Sequence, residues 1–335
     1  MSTRIAINGL GRIGRAFLRR AQEFPDLEIV AVNDLGDKEN LAYLLRYDTA
    51  YGQQPFEVSV DGDNLLIDGH AIKVCQEKDP TNLPWKELTI DVVIESTGFF
   101  TDYEAANAHV IAGAKRVVIT APAKGDASVG GTMLVGVNEG ALGGVAITSN
   151  ASCTTNASSP VITILKESVG IEKALLNTVH AYTASQALVD GPAKKDFRSG
   201  RAAAQNIIPS STGAAIAVTQ VHTELAGKFD GIAMRVPVIT GSIVDITFIA
   251  SRDTTVAEVN DILRKAAEDP RWETAFTVTD EPIVSSDIIG APFASIADLS
   301  FTRVVGGNLV KVLAWYDNEA GYTETLIRHV RSVTK

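Results

Sequence analysis

Sulfur is scarce in this chain: 335 residues contain two cysteines, Cys75 and Cys153. Two thiols give no disulfide framework, which points to a reducing compartment. The five histidines, His70, His109, His180, His222 and His329, lie far apart. No Cys or His pair has metal-ligand spacing, so no metal is expected. Long apolar runs are also missing, and none approaches a membrane span. Met1 leads almost directly into Ile5-Ala6-Ile7, without the regions of a signal peptide. Positive charge is outweighed, with 30 Lys and Arg against 40 Asp and Glu. The net charge of −10 argues against bulk nucleic-acid binding. The expectation is a cytoplasmic protein with small-molecule partners, long enough for two domains.

The first half alternates short apolar strands with helical patterns. Strands are expected at Arg4–Asn8, Glu28–Asn33, Asp91–Glu95 and Arg116–Thr120, and helices at Ile13–Glu23, Leu41–Arg46 and Tyr103–Ala112. The later strands are nearly continuous apolar runs, as in parallel sheets covered on both faces. The alternation predicts an α/β, Rossmann-type doubly wound sheet. After Cys153 the pattern changes. Longer, partly alternating strands are expected at Ala174–Tyr182, Gly231–Val238, Ser242–Ala250 and Val310–Trp315, with helices at Thr212–Glu224 and Val256–Glu268. This predicts an α+β second domain with a mixed or antiparallel sheet. Residues 185–209 form a long irregular segment rich in Lys, Arg, Gly and Ala. Segments of that length are more often functional than idle.

Gly9-Leu10-Gly11-Arg12-Ile13-Gly14 is a G-x-G-x-x-G run between a strand and a helix. Gly9 permits the tight turn, Gly11 lets backbone approach a pyrophosphate, and Gly14 lets the helix pack closely. The helix start offers amides to phosphate. A second strand ends at Asp34, whose carboxylate suits ribose hydroxyls and repels a 2′-phosphate. NAD is therefore favoured over NADP. Ser96-Thr97-Gly98-Phe99-Phe100 follows a later strand, and its small residues suit the same cleft.

Asn150-Ala151-Ser152-Cys153-Thr154-Thr155-Asn156 is the most informative stretch. Most intracellular cysteines are small buried hydrophobes, but a purely structural one needs no such polar neighbours. The apolar run after it winds as a helix, and a thiol at a helix start is drawn toward thiolate. With a nucleotide site, such a thiol suggests addition to an aldehyde, hydride loss and a thioester. His180 ends an alternating strand and is the candidate base.

Ser149 to Asn156 resembles the active-site signature of the phosphorylating glyceraldehyde-3-phosphate dehydrogenases. So do the runs Ile7–Arg15, Asn206–Ala215, Arg235–Pro237 and Trp315–Glu319, in the family's order along nearly the whole chain. The resemblance implies an NAD-binding domain over residues 1–152, a catalytic domain over 153–319, and a final helix at about 320–335 returning to the first domain. Cys153 matches the nucleophile and His180 the base. Thr183 and Arg235 match the site for the substrate's phosphate. Ser152, Thr154, Arg201, Thr212 and Gly213 match the site for the attacking inorganic phosphate. Asn8, Gly9, Gly11, Arg12, Ile13, Gly14, Asp34, Lys78, Ser96, Thr97, Gly98, Thr120, Asn318 and Tyr322 fall at cofactor positions, with Asn318 on the nicotinamide carboxamide. Leu35 and Pro192 accompany NAD preference. The basic segment resembles the family's S-shaped loop, and a homotetramer is implied. The chain departs from many members in having Ala157 where a second cysteine is common, Ala320 after the Asp-Asn-Glu run, and Lys78 in place of arginine.

The expected activity is NAD-dependent conversion of D-glyceraldehyde 3-phosphate and phosphate to 1,3-bisphosphoglycerate. An erythrose-4-phosphate dehydrogenase is the alternative within the same class. A nucleotide-binding module for RNA or protein partners is the alternative from another class. In the bland reading, Arg201 and Arg235 are surface ion-pair residues, and Ser152, Thr154 and Thr212 are helix caps.

Overall fold

The computed structural model describes residues 2–142, 144–193 and 196–334. Lys194 and Lys195 of the basic segment lie outside the described residues. The chain divides into two compact units. One comprises residues 1–133, 138–151 and 326–335, and the other residues 134–137 and 152–325. No helix among the described residues is long and apolar enough to cross a membrane.

The first unit is built on a nine-stranded sheet. Its order is Gly130–Thr132, Ile147–Ser149, Arg116–Ile119, Val92–Glu95, Thr3–Asn8, Leu27–Asn33, His70–Cys75, Asn64–Ile67 and Val58–Asp61. The first seven run parallel, and the last two add an antiparallel meander. Ile5, Ala6, Ile7, Val92, Val93, Ile94, Val117, Val118 and Ile119 are fully buried, which is why these strands read as continuous apolar runs. Thr3–Asn8 pairs with Leu27–Asn33 on one side and with Val92–Glu95 on the other. The chain thus winds outward both ways from this strand, and a crevice opens beyond its carboxyl end. Phe17 and Leu18 of the helix Arg12–Ala21 are buried.

The second unit holds a seven-stranded mixed sheet. Its order is Ile208–Ser211, Phe229–Val236, Lys173–Ala181, Ser242–Ile249, Leu309–Tyr316, Ser295–Val305 and Phe276–Thr279. Lys173–Ala181 runs parallel to Phe229–Val236 and antiparallel to Ser242–Ile249. Alternation along Lys173–Ala181 buries Ala174, Leu176, Thr178 and His180 on one face. The opposite face stays uncovered, with Leu175 67% exposed, Ile232 51% and Leu309 39%. The helix Cys153–Ser168 is buried from Thr154 to Leu165. Its interior hydroxyls bond back to carbonyls, Ser158 to Thr154 at 2.9 Å and Thr163 to Ser159 at 2.7 Å. The helix expected over 212–224 is shorter, Ala214–Val221, and a 3-10 turn follows at Thr223–Leu225.

Candidate active site

In the first unit, a cavity of about 480 Å³ opens beyond the sheet's carboxyl ends. Asn8, Gly9, Gly11, Asp34, Lys78, Ser96 and Thr97 are among its lining residues, with Leu35. The glycines have separate reasons. Gly9 sits at φ +94°, and a Cβ there would come within 2.7 Å of the Thr97 amide. A Cβ on Gly14 would stand 2.1 Å from the Gly9 carbonyl oxygen. A Cβ on Gly11 would meet nothing within 4 Å. Gly11 is also the N-cap of Arg12–Ala21 and makes no side-chain cap bond. A helix start beside open space is what a pyrophosphate requires. Asp34 is oriented by two amides, Leu10 at 2.7 Å on Oδ2 and Gly36 at 2.8 Å on Oδ1. Each oxygen keeps lone-pair capacity for a ribose hydroxyl. The residues present fit a dinucleotide.

In the second unit, Ser152 caps the helix that starts at Cys153, its Oγ accepting from the Thr155 amide at 3.0 Å. Cys153 Sγ lies 3.3 Å from His180 Nε2. His180 and Arg235 stand opposite in the parallel register of neighbouring strands. Arg235 Nη1 is 2.6 Å from His180 Nδ1, which also lies 2.6 Å from the Ala181 carbonyl oxygen. Burial and the Arg235 charge push His180 down to about 3, so the ring is neutral. Burial pushes the Cys153 thiol up, while the Arg235 charge and hydrogen bonds at Thr154 pull it back. Desolvation thus opposes the pull of the helix start on the thiol.

Tyr316, which the Trp315–Glu319 run includes without a role, is buried beside this pair. Its hydroxyl bridges Thr154 Oγ1 at 2.9 Å and Thr178 Oγ1 at 2.7 Å, and its ring meets His180 edge-on. Burial raises its phenol well above the ordinary range. The bridge pins the first turn of the helix to the strand that carries His180.

The expected phosphate ligands are placed as follows. Thr154 is spent on Tyr316. Thr212 Oγ1 accepts from the Ala214 amide at 3.2 Å, and Gly213 is the N-cap of the helix Ala214–Val221. Thr183 Oγ1 is 3.0 Å from Ser185 Oγ. Arg201 is exposed and paired with Asp190 at 2.9 Å. A cavity of about 450 Å³ takes in Arg235, Ser185, Ser199 and Ser210, with Pro192 and Asp196 also on its wall. Asn318 Oδ1 accepts from the Gly241 amide at 3.2 Å and the Ser242 hydroxyl at 3.0 Å, which directs its NH2 elsewhere, while the Thr240 hydroxyl lies closer to Asp317. Tyr322 is buried, and Thr120 Oγ1 bonds the Glu95 carbonyl at 3.1 Å.

A dinucleotide cleft and a thiol–imidazole pair define a nicotinamide-dependent oxidoreductase with a cysteine nucleophile. Comparison with known proteins narrows the class. Residues 3–103 match the model described as glyceraldehyde 3-phosphate dehydrogenase, NAD binding domain, and residues 152–318 match that family's C-terminal domain. A glyceraldehyde-3-phosphate dehydrogenase of Clostridium pasteurianum is 47% identical, over 99% of each chain. One of Streptomyces coelicolor is 48% identical over 98% of this chain and 97% of its own. Glyceraldehyde-3-phosphate dehydrogenase 1 of Kluyveromyces lactis is 46% identical over 98% and 99%. The chain belongs to the glyceraldehyde-3-phosphate dehydrogenase family, and its cofactor is NAD.

Proposed function

We propose that the chain oxidises D-glyceraldehyde 3-phosphate and traps the acyl group on inorganic phosphate as 1,3-bisphosphoglycerate. The carrying observation is Cys153 Sγ, 3.3 Å from His180 Nε2 at a helix start, with Arg235 on the far side of the ring. Sγ attacks the aldehyde carbon while its proton passes by way of His180 Nε2 to the carbonyl oxygen, forming a C–S bond and a hemithioacetal. The Cys153 amide helps hold the developing oxyanion. His180 Nε2 takes the hydroxyl proton. NAD, when bound, supplies the hydride acceptor. A phosphate oxygen then attacks the thioester carbon, and the thiolate leaves.

His180 acts as base in the tautomer with its proton on Nδ1, donated to the Ala181 carbonyl at 2.6 Å. Arg235 competes for the same nitrogen. Drawing Arg235 toward the substrate's phosphate releases Nδ1 and leaves Nε2 free to accept. Thr183 and Arg235 serve the substrate's phosphate. Ser152, Thr154, Arg201, Thr212 and Gly213 serve the attacking phosphate through amides, hydroxyls and guanidinium, Thr154 by its amide because Tyr316 holds its hydroxyl. Asp34 takes the adenosine ribose and Asn318 the nicotinamide carboxamide.

The protein works in the cytoplasm as a homotetramer, a reading supported by the uncovered apolar sheet face of the second unit. The deciding assay follows NADH formation with glyceraldehyde 3-phosphate, with and without phosphate, and with erythrose 4-phosphate or NADP substituted. Expected are dependence on phosphate, preference for the three-carbon substrate and for NAD, and loss of activity in Cys153→Ser. Full activity in that variant refutes the proposal.

A further inference from the structure

We propose that Glu95 is a positioning residue for the dinucleotide, a buried carboxylate that ties together the segments walling the cleft. This rests on the cavity of the first unit being the NAD site. Glu95 closes the strand Val92–Glu95 and is 2% exposed. Its Oε1 accepts from the Thr97 amide at 2.9 Å and from the Thr97 hydroxyl. Its Oε2 accepts from Asn8 Nδ2 at 2.6 Å and lies 3.0 Å from His109 Nε2. Among the described residues no lysine or arginine pairs with it.

The direction of every bond is fixed from the ends of this network. Trp85 Nε1 lies 3.0 Å from His109 Nδ1. An indole N–H only donates, so Nδ1 accepts and the ring's proton sits on Nε2, aimed at Glu95. At the other end, Asn33 is locked by backbone. Its Oδ1 accepts from the Glu77 amide at 2.8 Å, and its Nδ2 donates to the Glu77 carbonyl at 2.9 Å. Asn33 Nδ2 also donates to Asn8 Oδ1 at 2.7 Å, which turns Asn8 Nδ2 toward Glu95. Four donors therefore converge, and only a carboxylate accepts them all. Glutamine has the same shape, but its NH2 would face donors that cannot turn round.

The network's outputs face the cavity. Asn8, Asn33, Glu77, Thr97 and Phe100 line it. Phe100 packs edge-on against His109, with centroids 6.2 Å apart. Glu95 thus sets the spacing between the Asn8–Gly9 turn and the Ser96–Thr97 loop, a gap too tight for a Cβ on Gly9.

The test is calorimetric titration of NAD, without aldehyde, into the full chain and its variants. Glu95→Gln should weaken NAD binding by about tenfold or more. Cofactor-free alkylation of Cys153 by iodoacetamide should stay within about twofold, since the thiol site lacks this network. Trp85→Phe unlocks the imidazole, so W85F/E95Q should regain about threefold in NAD affinity over E95Q. Parental NAD affinity in E95Q, equal losses in binding and alkylation, or no recovery in the double variant overturns the proposal. Where E95Q does not fold, His109→Leu removes one donor and keeps the apolar packing. It should weaken NAD binding by about fivefold, and parental affinity there overturns the proposal. Failure of the parent chain to bind NAD would instead overturn the reading of the cleft itself.

Discussion

Arg235→Gln isolates the electrostatic control of the nucleophile. The imidazole of His180 fills the gap between guanidinium and sulfur, with contacts of 2.6 Å and 3.3 Å at its two ends. Adding the ring's own width puts the charge within about 8 Å of Sγ, where two unit charges at an effective dielectric near 20 interact by about 2 kcal/mol. That corresponds to about 1.5 pH units. Cys153 is partly exposed, so screening trims the expected shift to about one unit. The sign is set by the thiolate. Burial already pushes the thiol up, Arg235 offsets this, and its removal moves the midpoint higher. The assay is the pH dependence of iodoacetamide alkylation, with neither aldehyde nor cofactor present. At pH 7 a rise of one unit cuts the thiolate fraction about tenfold, while greater basicity restores roughly half of that on a logarithmic scale. The net rate should fall about threefold. An unmoved or lowered midpoint would refute this account of the site.

Three further outcomes follow from the geometry. Tyr316→Phe strips the buried Thr154 and Thr178 hydroxyls of their shared partner. It should cost about 1–3 kcal/mol and lower the melting temperature by several degrees in a thermal scan. Asp48 is buried, which raises its carboxyl, yet hydrogen bonds from Arg12 and Arg19 hold it well below the ordinary range. Its folded value lies under the unfolded 3.8, so its contribution is present above about pH 4 and fades as pH falls further. Asp48→Asn should lower the urea midpoint at pH 7 and narrow the difference from the parent at pH 3. Gly14→Ala places a Cβ 2.1 Å from the Gly9 carbonyl, and should abolish NAD binding in a titration while Cys153 alkylation continues.

Four parallel strands of the first unit, Thr3–Asn8, Leu27–Asn33, Val92–Glu95 and Arg116–Ile119, were legible because burial makes them nearly unbroken apolar runs, whereas Gly130–Thr132 and Ile147–Ser149 are three residues each and too short to show a pattern. The meander Val58–Asp61, Asn64–Ile67 and His70–Cys75 was not, since its exposed positions dilute the pattern. Ser295–Val305 also escaped, because a register shift and polar residues from Asp298 to Arg303 interrupt its alternation. The motifs name Cys153, His180 and Arg235 separately. That His180 and Arg235 stand side by side depends on strand register across 55 residues of chain, which no local pattern encodes. Tyr316 lies inside the Trp315–Glu319 run, which does not show what its hydroxyl touches, and Trp85, Glu95 and His109 become a network only through tertiary packing. A buried Glu ending an apolar strand was the one available signal for it.

The uncovered sheet face of the second unit bears on what stability means for this chain. Leu175, Ile232 and Leu309 stand in water on a single subunit. Association that covers them is linked to folding by mass action, so dilution and unfolding pull in the same direction. In the proposed homotetramer, a melting temperature would therefore carry a subunit concentration with it. Two variants of such an assembly compared at different concentrations would differ even if their cores were identical.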